Sequence, residues 1–256
     1  MITKKTKEEI AILREGGRRL AAILEKVAYM VRPGVSTAAL NDLAEKLVKE
    51  GGDTPAFLHY KPEGARRAYP ASLCVSVNDE IVHGIPNEGS KILEEGDIVS
   101  LDLGLVHKNL ITDSAITVAV GSISEVSKKL LEATKRALAS GISEATVGHH
   151  IGDIGAAVQK VAKEYGFTIA DNLAGHGVGY KVHEEPYVPN TGKKGNGKKL
   201  TSGMVIAIEP MLTTGGSKIK LDSDGYTYKT LDGSRSAHFE HTVAISENGP
   251  IILTDN

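Results

Sequence analysis

Apolar positions recur at spacings of three and four near the start of the chain, at Ile10, Leu13, Gly17, Leu20, Leu24, Val27 and Val31. That is the period of one helix face. Thr6 followed by Glu9 forms a capping box at its start, and Arg32-Pro33-Gly34 ends it. Gly16-Gly17 costs propensity in mid-helix, so it marks either a close approach by another element or a locally weak turn. A second helix follows, capped by Ser36 or Thr37, with Leu40, Leu43 and Leu47 on its apolar face and Gly51-Gly52 as its stop. From Thr54 to Pro70 the pattern is irregular and reads as loop. Ala71 to Val77 then reads as a strand and Ile98 to Val120 as a β-hairpin.

The order of elements repeats although the sequence does not. Helices from about Ser124 to Ala139, ending at Gly141, and from about Val147 to Tyr165, ending at Gly166, precede a further run of strands. Two such halves, joined near Gly121 to Ser124, predict an α+β domain whose strands merge into one antiparallel sheet with four helices on its outer face. Two independent domains are the alternative, but no linker-like stretch separates the halves.

Composition narrows the class. The 256 residues are 41% hydrophobic and 24% charged, as in ordinary globular proteins with a sizeable core. A net charge of −2 gives no global basic field, so DNA and anionic membrane are not expected partners. The single cysteine, Cys74, excludes an intrachain disulfide and fits a reducing compartment. No apolar run approaches membrane-spanning length and the N-terminus has no apolar signal core, so a cytoplasmic location is expected.

The chemistry begins in the hairpin, where Asp102 and Asp113 interrupt apolar strands. A two-residue turn at His107-Lys108 would set the two carboxylates directly opposite one another, with Cβ atoms about 4.5–5.5 Å apart. Such a pair needs a proton, a cation or a metal. A longer loop, letting one Asp face water, is the alternative. Further on, Glu209 ends an apolar strand and Glu240 lies inside another, while His176 is flanked by glycines that let the backbone approach something bulky or tightly bound. Either Glu, taken alone, could equally face solvent. Together, two Asp, two Glu and one His make an oxygen-rich set able to hold two divalent cations. Paired metals about 3.5–4 Å apart serve amide hydrolysis, whereas a cysteine-rich zinc site is impossible with one cysteine. His83 and His183 remain as non-ligand acid, base or orienting groups.

Five segments, Ser76-Val-Asn-Asp-Glu-Ile-Val-His-Gly-Ile-Pro86, the Asp102 and Asp113 hairpin, Gly175-His-Gly-Val-Gly179 with His183-Glu-Glu-Pro186, Ile208-Glu-Pro-Met211, and Glu240-His-Thr242, agree in order and spacing with one family. By these, the chain resembles the type I methionine aminopeptidases over nearly its whole length. The resemblance implies the "pita-bread" fold, a single catalytic domain over residues 1–256 with pseudo-symmetric halves of about 1–121 and 122–256. It implies co-translational removal of the N-terminal methionine of nascent polypeptides, in the cytoplasm, by a monomer. It also implies two divalent ions (Mn, Fe, Co or Zn), with Asp102 on one, His176 and Glu209 on the other, and Asp113 and Glu240 bridging both. A metal-activated water would attack the first peptide carbonyl, with Glu209 as proton acceptor. His183 would hydrogen-bond the carbonyl or the developing oxyanion, and His83 would position substrate and steady the tetrahedral intermediate.

The chain departs from the family pattern where Phe57-Leu-His-Tyr60 is separated from Tyr69-Pro70 by an insertion containing Lys61, Arg66 and Arg67. Val182 and Tyr226 also replace a frequent Phe and Trp. Tyr60, Tyr69, Cys74 and Tyr226 are the expected walls of a methionine pocket. The basic loop 193–199 and Arg66-Arg67 could make transient contact with ribosomal RNA, although a solvated loop is the plainer reading. A prolidase or Xaa-Pro aminopeptidase would share the ligands but usually carries an extra N-terminal domain. A non-catalytic binding module of the same fold would usually show a broken ligand set.

Overall fold

The computed structural model describes residues 2–255. Helix α1 (Lys7–Met30) opens with the predicted capping box, the Thr6 hydroxyl accepting from Glu9 N–H and the Glu9 carboxylate from Thr6 N–H. Helix α2 (Thr37–Glu50) is capped by Ser36. Short strand β1 (Thr54–Pro55), then β2 (Leu73–Val77) and β3 (Glu80–Val82), lead to the hairpin of β4 (Ile98–His107) and β5 (Leu110–Ala119). Helix α3 (Glu125–Ser143) and helix α4 (Ile151–Tyr165) begin the second half. Strands β6 (Thr168–Ile169), β7 (Ala174–Gly177), β8 (Glu184–Pro189), β9 (Val205–Ile208) and β10 (Met211–Thr213) follow. The chain finishes with β11 (Ile219–Leu221), β12 (Tyr228–Thr230), β13 (Ser236–His238), β14 (His241–Ser246) and β15 (Gly249–Ile252).

Two helix boundaries differ from expectation. Helix α3 runs through Gly141, where a Cβ would lie a tight 3.0 Å from Val158 Cγ2 of α4. Helix α4 starts at Ile151 because His150 is its N-cap residue, its N–H donating to Asp153 Oδ2 (2.7 Å), while residues 147–148 form a turn. Gly17 is the close approach that the sequence left open: a Cβ there would lie 2.1 Å from the Leu253 carbonyl oxygen.

The helices cover the sheets from outside, α1 on β4 and β5, α2 on β2, and α4 on β8. Each half has its own apolar core, one joining Leu20, Leu24 and Leu40 to Leu73 and Leu101, the other joining Leu130 and Ile154 to Ile206 and Val243. The strands do not merge into one sheet. A four-stranded sheet around β4 and a five-stranded sheet in the order β15-β14-β9-β7-β8 are separate, and two three-stranded sheets flank them. One of these pairs β3 with β12 and so ties the halves together.

At the seam, side-chain hydroxyls stand where a continuous ladder would run. Glu240 N–H donates to the Ala115 carbonyl (2.9 Å). Thr117 Oγ1 donates to the His238 carbonyl (2.7 Å) and accepts from His238 N–H (2.9 Å). Ser114 Oγ donates to the Glu240 carbonyl (2.7 Å), and Thr242 Oγ1 both donates to the Asp113 carbonyl and accepts from Asp113 N–H. These bonds satisfy backbone groups that a bent, interrupted sheet would otherwise leave buried and unpaired.

Candidate metal centre

The hairpin turn is one residue later than the sequence suggested. Lys108 and Asn109 both take positive φ (47° and 66°), the pattern of a two-residue primed turn, and His107 pairs with Leu110 as the last strand residue. His107 is held in the strand because its Nδ1 lies 2.7 Å from Asp53 Oδ1. Asp113 therefore faces Gly104, and Asp102 faces Ala115. The two aspartates are diagonal neighbours on one face, not direct partners, which still leaves them within mutual reach.

The directly opposed acids are the glutamates. Strands β9 and β10 pair with β14 and β13 in unbroken register, Ile208 with His241 and Met211 with His238, so the two-residue gaps Glu209-Pro210 and Phe239-Glu240 coincide. That register places Glu209 opposite Glu240. Neither sits inside a regular strand, because Pro210 has no N–H for a ladder and the chain bends around it. Asn190 Nδ2 donates to the Glu209 carbonyl (2.9 Å) and holds the bend.

Asp102, Asp113, His176, Glu209 and Glu240 converge on the floor of one cleft of about 720 Å³. Ligand atoms of Asp113, His176 and Glu240 lie within 4.8 Å of one another. His176 Nε2 is 3.5 Å from Glu209 Oε1, and its Nδ1 is 2.9 Å from the Gly177 carbonyl. The glycines beside His176 serve strand packing and not a ligand: a Cβ at Gly175 would lie 2.2 Å from the Ala207 carbonyl, and one at Gly177 2.2 Å from that of Glu185.

Burial and like charge oppose ionisation on this floor. Burial, then the charges of Asp102 and Glu209, pushes the Asp113 carboxyl well up, and burial with Asp113 does the same to Glu240. Burial raises Asp102 to about 6. Burial acts in the same direction on Glu209, but His238, His176 and His183 outweigh it and hold that carboxyl below the usual range. Asp102 Oδ1, Asp113 Oδ1 and Glu240 Oε1 have no hydrogen-bond partner among the described residues. Buried acids are tolerated when paired or bound to metal, and unpartnered oxygens aimed together with an imidazole fit divalent cations.

The walls carry the remaining predicted residues. Tyr69, Cys74 and Tyr226 form an apolar cluster with Phe57, and Tyr60 packs on its edge. Tyr69 donates to the Gly84 carbonyl (2.8 Å) and meets Tyr226 edge-on. Cys74 is the strand partner of Asp102, and burial pushes its thiol well up, so it is a neutral wall. His83 follows β3 in a left-handed conformation (φ 60°) that turns it into the cleft, where burial lowers it to about 4. His183 stands at the rim with Nδ1 3.0 Å from the Tyr60 hydroxyl and its ring edge-on to His176. Desolvation, with His176 and His83 beside it, lowers His183 too, so both rings are neutral at neutral pH.

Two features escaped the sequence. The insertion contributes Glu63, Gly64 and Ala65 to the cleft lining, and its Arg67 forks onto Glu88 (2.7 and 2.6 Å) instead of standing free as part of a basic patch. His238, buried and two residues before Glu240, meets Glu209; strand alternation was the available signal, since positions two apart share a face.

The pattern of metallopeptidase family M24 matches residues 11–247. Methionine aminopeptidase of Aquifex aeolicus is 49% identical over 253 residues, covering 98% of this chain and 97% of that protein. Methionine aminopeptidase 1 of Bacillus subtilis is 42% identical over 254 residues, covering 99% of each. The crystal structure of the Thermotoga maritima methionine aminopeptidase superposes with a TM-score of 0.94 at 39% identity, each chain wholly covered. The prolidase of Pyrococcus furiosus shares the fold alone, with a TM-score of 0.76 at 24% identity and 65% of its length covered. The α+β architecture is thus the pita-bread fold, two pseudo-twofold halves with helices outside. A metal-dependent hydrolase with type I sequence features, the chain belongs to metallopeptidase family M24, among the methionine aminopeptidases.

Proposed function

We propose that residues 1–256 form one catalytic domain, with halves of about 1–121 and 122–256, that removes the N-terminal methionine from nascent proteins in the cytoplasm. The observation carrying this reading is the convergence of buried Asp102, Asp113 and Glu240 with partly buried Glu209 and His176 beneath an aromatic cleft, with unpartnered carboxylate oxygens on its floor. The five residues fit two divalent ions: Asp102 would hold one, His176 and Glu209 the other, and Asp113 and Glu240 would serve both. The imidazole donor favours Mn, Fe, Co or Zn over magnesium. Such ions, when bound, supply a water that is nucleophilic at neutral pH and polarise the peptide carbonyl.

The protein's own groups supply the rest. Glu209, held ionised by its histidines, accepts the proton of the attacking water. The Tyr60 hydroxyl lies 3.0 Å from His183 Nδ1; in the tautomer where Tyr60 donates, the ring proton sits on Nε2 and is a donor for the carbonyl as it becomes an oxyanion. Neutral His83 positions the substrate from the opposite wall. Tyr60, Tyr69, Cys74 and Tyr226 enclose the methionine side chain, whose thioether packs well against ring edges. The free α-amino group lies toward Asp102, which restricts cleavage to the first bond.

Substrates are nascent chain termini. The loop 193–199 offers lysines for a transient ribosome contact, although its backbone is spent on capping α4 through Ile151 and Asp153. In this reading the enzyme works as a monomer. Methionine release from Met-Ala-Ser peptide, abolished by a chelator and restored by added Co²⁺ or Mn²⁺, tests the reading. Absence of methionine release in the presence of metal, or undiminished activity after metal removal, would overturn it.

A further inference from the structure

His238 is 1% exposed, and neither ring nitrogen has a hydrogen-bond partner among the described residues. Its backbone is pinned on both sides by Thr117 Oγ1, so the ring direction is set by the strand. Nε2 lies 3.3 Å from Glu209 Oε2, outside linear hydrogen-bond geometry, and 3.9 Å from Glu240 Oε2. The other Glu209 oxygen, Oε1, is the one turned to His176. His238 is not among the residues lining the cleft, whereas Glu209 and Glu240 are. The imidazole therefore stands behind two carboxylates that line the cleft.

We propose that His238 is a positioning residue of the metal centre: its Nε2–H donates to Glu209 Oε2, with Glu240 Oε2 as neighbour, and locks the orientation in which these carboxylates present their other oxygens. This deepens the assignment of Glu209 and Glu240 as ligands and rests on it. The physical basis is that a carboxylate free to rotate about its last bond loses rotamer freedom when it binds metal, and a fixed donor behind it removes that cost beforehand. Outer donors of this kind are worth about 10- to 100-fold in metal affinity. A direct ligand role is the poorer fit, since the ring lies behind the cleft wall and Met211, its strand partner, lies across from it.

The test uses the full-length protein freed of metal and titrated with Co²⁺, read by calorimetry and by the visible absorption of the bound ion, with thermal melts of each metal-free variant to verify folding. His238→Leu and His238→Asn remove the donor or shorten its reach, and both should weaken Co²⁺ binding about 10- to 100-fold and shift the absorption bands. His238→Gln, whose amide N–H reaches as far as Nε2, should stay within about tenfold of the native protein and keep its spectrum. If the Leu variant does not fold, the Asn and Gln pair decides the question. Loss in the Gln variant as large as in the Asn variant would make the imidazole itself the essential group and overturn the proposal, as would native binding by Leu or Asn variants. Failure of the native protein to bind Co²⁺ would instead remove the metal-centre reading beneath it.

Discussion

Three histidines of one cleft have different jobs, and substitution separates them. His176 supplies the nitrogen that faces Asp113 and Glu240, so His176→Ala should lose bound metal, seen by elemental analysis. His83→Ala and His183→Ala should keep their metal and lose turnover by about 10² to 10³, roughly 2.7–4 kcal/mol of transition-state stabilisation. Because the interaction strengthens only as charge develops, the loss belongs in kcat and not in KM alone. Retained metal in His176→Ala would reverse these roles. Protons compete with metal at the same oxygens. Asp102 is raised to about 6, so in the metal-free site it is protonated below that pH and must release its proton to ligate. Co²⁺ affinity should therefore fall by about tenfold per pH unit, or more, below pH 6. His83, lowered to about 4, stays neutral across that range and does not contribute a limb of its own. A flat affinity between pH 7 and 5 would contradict the burial that raises Asp102.

At the scale of elements, the site is assembled by interruptions and seams. The bend at Glu209-Pro210 lies opposite the bend at Phe239-Glu240, and the hairpin of β4 and β5 meets that bend through hydroxyl groups. Thr117 is the pivot, bonding Ser100 on its own sheet and both backbone groups of His238 across the seam. Thr117→Val keeps the shape and β propensity but leaves the His238 N–H and carbonyl buried without partners. The expected cost is about 1–3 kcal/mol, measurable by denaturant unfolding. Turnover should fall as well, since the displaced strand β13 leads directly into the bend that carries Glu240. An unchanged midpoint and unchanged activity would show that the sheets hold together without the hydroxyl.

Across the whole molecule, stability and function oppose each other in the metal-free state. Asp113 binds its proton more tightly folded than unfolded, so over the interval between the two pKa values the native state carries more protons, and stability falls as pH rises. Asp113→Asn removes that penalty. At pH 7.5 the metal-free variant should melt above the metal-free native protein, with each kcal/mol worth about 2–4 °C in a chain of this size. Metal should raise the melting temperature of the native protein and raise that of the variant far less. A metal-free variant less stable than the native protein would mean that Asp113 has a cationic partner the structure does not contain. Much of this architecture was legible along the chain. The Thr6 and Ser36 caps, the four helices and the existence of the Asp102–Asp113 hairpin depend on residues a few positions apart, and periodicity and capping chemistry read such spacings directly. The identities of the converging acids were legible as well, because a carboxylate in an apolar strand signals its own unmet need. Tertiary contacts decided the rest. The turn fell at Lys108-Asn109 because Asp53, more than fifty positions away, holds His107 in the strand. Glu209 came to face Glu240 through strand pairing, Arg67 was taken up by Glu88, and His238 was buried behind both glutamates. Each depends on a partner distant in sequence, and local pattern carries no information about which distant partner will arrive.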